Sequence, residues 1–216
     1  MAVTRERFNQ GMTYAEALER LPRNLPNIQR TEGLLKLSEA DLAPWKRLGE
    51  PLNVLALVID PCPDVYTNLP IVQRIASETA KLNLRIFMRD DNKDLTAQFM
   101  NGPFESMPVF AFFDQAMNLR SVFIERPKSV TEMRAQKTRE IQESNPEFGP
   151  VGRTPAEMPD DVRARFQAAI NDMRMATTEE YLAESLREFR EIANELAGGA
   201  SGQARWHGNL VEAAAA

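Results

Sequence analysis

Between residues 52 and 59 the chain reads LNVLALVI, an almost unbroken run of aliphatic and β-branched side chains. A run of this kind, without polar alternation, predicts a strand covered on both faces. DPCPDVYTNLP follows at once, then IVQRIASETAKL, in which Ile71, Val72, Ile75, Ala76, Ala80 and Leu82 recur at helical spacing. A strand therefore feeds a helix through a very short turn, and Pro70 lies inside that helix without breaking its period. Asn83 to Arg89, NLRIFMR, predicts a second buried strand, and LTAQFM a short helix that stops at Asn101 and Gly102. Met107 to Phe113 and Leu119 to Ile124 predict two further strands, close enough across DQAMN to form an antiparallel hairpin. A helix from about Val130 to Glu143 completes the order β, α, β, α, β, β, α. With right-handed crossovers this order makes an α/β fold, a four-stranded mixed sheet flanked by helices.

The flanking segments are helical in pattern. Thr13 with Glu16, and Ser38 with Asp41, have capping-box spacing ahead of apolar positions, so two helices lead in. Between them Pro22, Pro26 and the polar run to Thr31 predict an irregular arm. After the sheet, SNPEFGPVGRTPAEMP is too rich in proline and glycine for a regular element and reads as a connector. Two amphipathic helices come next, Asp160 to Met173 and Thr177 to Ala197. Thr177 and Glu180 are spaced to open the second as a capping box, and Gly198 and Gly199 stop it. The chain thus divides into an N-terminal helical arm (1–50), an α/β domain (51–144), a linker (145–158), a C-terminal helical extension (159–198) and a flexible tail (199–216). Leu182, Leu186, Phe189, Ile192, Ala193 and Leu196 form one stripe on the last helix. That stripe either packs on the core, the favoured arrangement, or meets its copy in a homodimer.

Composition narrows the function. With 216 residues, 43% of them hydrophobic, the chain supports one core with appendages. Cys62 is the only cysteine and His207 the only histidine, which excludes an internal disulfide and a structural zinc site. A metal would need carboxylates such as Asp64, Asp90 or Asp91, and none of these is read as a metal site; Asp90 and Asp91 read as a solvated turn. A net charge of −5 without a basic stripe argues against nucleic acid as a partner. No apolar segment suits a signal peptide or membrane span, so no membrane partner is expected and the expected location is cytoplasmic. A Gly-x-x-x-x-Gly-Lys loop is absent, His207 sits in the Gly-rich tail, and no cofactor is expected.

Candidate chemistry centres on Cys62. Pro63 suits the first helical position, which puts the sulfur at a helix N-terminus, where unpaired N–H groups favour a thiolate. Asp64 adds a negative charge within one turn and works against the thiolate; a lone cysteine is also often a small buried packing residue. Asp64 itself is read either as a proton-transfer group or as a carboxylate capping the helix. Tyr66 and Phe104 are candidates to rim an apolar docking groove, or are packing residues.

The element order, with Cys62 just after the first buried strand and Pro108 opening the third, resembles the thioredoxin fold. CPD and NLP within residues 62–70, RDDN at 89–92, and NG and MP within 101–108 are similar to a bacterial thioredoxin-like family whose site starts Trp-Cys-Gly-Asp instead of Cys-Gly-Pro-Cys. The resemblance spans roughly Phe8 to Lys128. It implies a cis Met107–Pro108 bond beside the sulfur, where an extended substrate pairs with the backbone, with Pro63, Tyr66, Met107 and Phe104 around the substrate. Pro61 stands where that family has Trp, and Val65 where a second cysteine would sit. Dithiol turnover is excluded, and Ile59 departs from the pattern of one-cysteine peroxiredoxins. Two readings follow. One is monothiol exchange, with Cys62 as nucleophile, Asp64 as tuner and Pro108 as pairing loop, through a mixed disulfide with a protein or low-molecular-weight thiol. The other is a non-catalytic binding module that keeps Cys62 as a structural residue.

Overall fold

The structure, a computed structural model, describes residues 3–199 and 203–211. Four short helices lead in: α1 (Arg5–Asn9), α2 (Tyr14–Glu19), α3 (Leu25–Leu34) and α4 (Glu39–Lys46). The boxes at Thr13/Glu16 and Ser38/Asp41 form with both reciprocal hydrogen bonds, as their spacing predicts. Helix α3 occupies most of the stretch read as an irregular arm. Pro26 falls in its first turn, where a missing N–H removes no intrahelical bond.

The central layer runs β1 (Leu52–Val58), α5 (Pro63–Thr79), β2 (Leu82–Met88), α6 (Lys93–Thr96), β3 (Val109–Phe113), β4 (Leu119–Ile124) and α7 (Lys128–Ser144). Two long helices, α8 (Asp160–Ala176) and α9 (Thr178–Ala197), and a short strand β5 (Arg205–Gly208) end the fold. The sheet order is β2-β1-β3-β4-β5, with β1/β2 and β4/β5 parallel and the two middle pairs antiparallel. All seven residues of β1 are buried, as expected of a strand covered on both faces.

The sheet therefore has five strands instead of the four predicted. The fifth lies within the stretch read as a terminal tail. RWHG is four residues long and has no apolar alternation; it becomes a strand because the edge of β4 offers unpaired backbone groups. At Gly208, φ is +94°, and a Cβ there would lie 2.1 Å from the Ile124 carbonyl oxygen, so the close of this pairing demands glycine. The Gly208 N–H donates to the Glu188 carboxylate of α9 at 2.6 Å. His207, on the same strand, has its Nε2 3.2 Å from the Glu195 carboxylate.

Helix α9 belongs to the main core. Leu182, Phe189, Ile192 and Ala193 are buried in the same cluster as β1 and β3, and the Phe189 ring lies 4.8 Å from that of Phe123 and 6.0 Å from that of Phe110. Four of the six residues of the stripe are thus buried within the chain, and Leu186 and Leu196 pack partly against the same core. Helix α8 instead joins a separate small cluster in which Phe166 meets Phe148 and Met158. The predicted capping box at Thr177 is absent. Because α8 ends at Ala176, the Thr177 hydroxyl is drawn back onto it and donates to the Met173 carbonyl at 2.9 Å. No helix among the described residues is long and apolar enough to cross a membrane.

Candidate functional site

The end of β1 and the start of α5 are held by the N-terminal arm. The Asp60 carboxylate accepts the N–H groups of Arg23 and Asn24 at 2.9 and 2.8 Å. The Asn24 amide donates to the Ile59 carbonyl and accepts the Cys62 N–H at 3.1 Å. This is why Asn24 does not cap its own helix α3. Cys62 is the N-cap residue of α5, with extended backbone, and Pro63 takes the first turn as its fixed φ favours. The Cys62 thiol donates to the Met107 carbonyl at 3.6 Å; the Met107–Pro108 bond is cis, and both residues are buried. Burial and, after it, the Asp64 carboxylate push the thiol above its ordinary value, outweighing the N–H groups of α5 and the charge of Arg126. Cys62 is half-buried, and on balance its surroundings favour the neutral thiol over the thiolate.

Asp64 lies one turn further into α5 and is 4% exposed. Its carboxylate is fully engaged. One oxygen accepts Arg134 Nη1 at 2.8 Å and the Tyr181 hydroxyl at 2.8 Å; the other takes Arg126 Nη2 at 2.9 Å and Nε at 3.1 Å. The Arg134 guanidinium also lies over the Tyr181 ring, 4.7 Å from its centroid. Burial and the adjacent carboxylate push the Tyr181 hydroxyl well above its ordinary value, so it acts as a donor. The buried Asn68 amide completes the cluster, donating to the Tyr181 oxygen at 2.8 Å and to the Glu125 carbonyl. The pairing joins α5, α7, α9 and the end of β4. It leaves Asp64 no free lone pair aimed at the sulfur, and the carboxylate acts as an internal tie.

Cys62, Pro63 and Tyr66 line one open cleft of about 480 Å³, together with Asn24 and Asn27 from α3 and Arg174 and Met175 from α8. Met107 and Pro108 are buried and do not line this cleft; they meet the site through the Met107 carbonyl that accepts the thiol. Phe104, 58% exposed, lies in a different cleft with Arg89, Glu125 and Asn209, which shares no lining residue with the first. Asp90 and Asp91 are at the surface, paired with Arg89, Lys93 and Arg20. Sequence reasoning missed Asn24, Arg126, Arg134, Arg174 and Tyr181, none of which carries a motif. A usable signal existed only for Tyr181, on the apolar stripe of a helix already recognised as amphipathic.

The neighbours of this chain agree with the architecture. A protein of unknown function from Pseudomonas aeruginosa, PA1234, superposes with a TM-score of 0.62 at 19% identity, covering 93% of this chain and 100% of its own. An HIV epitope scaffold superposes with a TM-score of 0.60 at 18% identity and the same coverage. At such identities the likeness is one of fold. No curated protein matches the sequence. The family model described as thioredoxin matches residues 11–139, a span that holds Cys62 at the start of α5, the Met107–Pro108 loop and four of the five strands. On that match, which covers more than half of its length, the chain belongs to the thioredoxin family.

Proposed function

We propose that this protein is a non-catalytic binding member of the thioredoxin family, in which the cleft at Cys62 receives a ligand and the thiol stays protonated. The observation that supports it best is the state of the two groups that exchange chemistry requires. Asp64 is held by two arginines and a tyrosine, and the Cys62 thiol is pushed up by burial. Pro61 and Val65, where the Trp-Cys-Gly-Asp type family and the two-cysteine members carry their signature residues, point the same way. A single free thiol is compatible with a reducing cytoplasm. Alkylation of Cys62 by iodoacetamide across pH, in folded and denatured chain, tests the reading. The folded thiol should react more slowly at neutral pH and accelerate only above the ordinary thiol range of about 8.5. Faster reaction in the folded chain at neutral pH sinks the proposal.

A second reading draws on the open cleft in front of the sulfur. In monothiol exchange the Cys62 thiolate attacks one sulfur of a disulfide, the S–S bond breaks and the other half leaves as a thiolate. A second external thiol then releases the mixed disulfide. Pro108 and Met107 would present backbone to the substrate, with Pro63 and Tyr66 at its sides and Asp64 adjusting the field; Phe104, in its separate cleft, takes no part. Glutathione disulfide would then transfer one glutathionyl group to Cys62 and release glutathione, an adduct that intact mass would register and that Cys62→Ser would lose.

A further inference from the structure

Arg174 lines three clefts at once: the one at Cys62, one along α7 beside Arg126, Arg134 and Arg139, and one between α7 and α8. The residues lining these connected clefts include five arginines, counting Arg23, and no carboxylate. That is an unusual surface for a chain of net charge −5. Among the described residues, the Arg174 guanidinium has neither an ion-pair partner nor a hydrogen-bond acceptor, and its Nε is buried. Arg134 Nε is buried and unpartnered too. A half-buried guanidinium cannot shed its proton and is normally matched by a carboxylate or phosphate. Burial and the charge of Arg134, with a smaller push from Arg126, press on Arg174; Tyr66 and Asp64 offset this only in part, and a bound anion would relieve the rest.

The charge balance selects the ligand. Of the four cations Arg126, Arg134, Arg139 and Arg174, Arg126 is paired with Asp64 and Glu125 and Arg134 with Asp64, whereas half-buried Arg174 and exposed Arg139 have no ion-pair partner among the described residues. Two positive charges remain. A single carboxylate neutralises one; a phosphomonoester, close to doubly ionised at neutral pH, neutralises both and suits the guanidinium fork. We propose that Arg174, with Arg134 and Arg139, forms a binding site for the phosphate of a phosphomonoester, entered from the cleft that exposes Cys62. This rests on the reading of that cleft as a binding surface and names its ligand class.

The test uses the full chain with inorganic phosphate as the probe, against sodium chloride at matched ionic strength and pH 7.5. Thermal unfolding should shift up by roughly 5–10 °C when phosphate reaches a hundred times its Kd. The ³¹P resonance should show saturable binding. Arg174→Met should abolish both effects and raise Tm in the absence of phosphate. Arg174→Lys keeps the charge without the fork and should weaken phosphate about tenfold while leaving Tm unchanged. Equal shifts in phosphate and chloride overturn the site, and so does a phosphate response that survives Arg174→Met. O-phosphoserine binding as tightly as a phosphoserine peptide assigns a small-molecule source; tighter peptide binding assigns a protein source. Failure here is separable from failure of the wider reading. A fast, low-pH-reactive Cys62 in a chain that still binds phosphate removes the binding-only function and leaves the anion site standing.

Discussion

Asp64 and Arg174 are two charges withdrawn from water in the same quarter of the molecule, and they are treated in opposite ways. Asp64 is 4% exposed and meets two guanidinium groups and a hydroxyl. Arg174 is half-buried and meets none among the described residues. A buried charge with every lone pair engaged is a structural tie, since opening it strands its partners. A partly buried charge with open donors is a place where something can still be gained. The contrast separates the part of this site that holds α5, α7 and α9 together from the part left for a ligand.

The comparison breaks most visibly at Asp64. Asp64→Ala leaves Arg126, Arg134 and Tyr181 unpaired in the interior, and should cost about 4 kcal/mol and lower Tm by roughly 10 °C, measured by urea and thermal unfolding. A loss under about 1 kcal/mol would mean that the cluster is wet and that Asp64 is no tie. Tyr181→Phe removes one hydrogen bond to the carboxylate and the acceptor of Asn68, and should cost about 2 kcal/mol in the same assay. Arg174→Met should move in the other direction. Without phosphate it stabilises by about 1 kcal/mol, discounted for the exposed part of the side chain, because an uncompensated cation is removed. Destabilisation of similar size would make Arg174 another structural charge.

The smallest effect concerns pH and Cys62. The folded thiol is raised above its unfolded value, so it adds stability that is fully present below the ordinary thiol range and is lost as pH rises through the folded value. Stability should therefore decline more steeply above about pH 8.5 in the native chain than in Cys62→Ser, as parallel urea titrations would reveal. Identical slopes would mean that the sulfur is in contact with water and poised like a free thiol.

How far each region could be read in advance follows from how local its causes are. β1 is legible because an unbroken aliphatic run leaves a strand few alternatives, and the boxes at Thr13 and Ser38 because their partners lie three residues away. The position of Cys62 at the N-terminus of α5 is legible for the same reason, through Pro63 and the helical period behind it. The Thr177 box failed although its spacing was correct, because a neighbouring helix end competed for the hydroxyl. The local pattern offers Asp64 only as a helix cap or a proton-transfer group; its partners stand 62, 70 and 117 residues away.

Local order along the chain thus carries the βαβ unit, the hairpin, the amphipathic helices and the single thiol at a helix start, all of which depend on periods of two to four residues. Packing settled everything that depends on which distant groups meet. It turned RWHG into a strand, packed the α9 stripe against the core, closed Asp64 between two arginines, and left Arg174 without an acceptor among the described residues. The physical reason is that burial and ion pairing are set by three-dimensional neighbours, and a side chain's charge, unlike its helical or strand period, leaves no trace in sequence of what will face it.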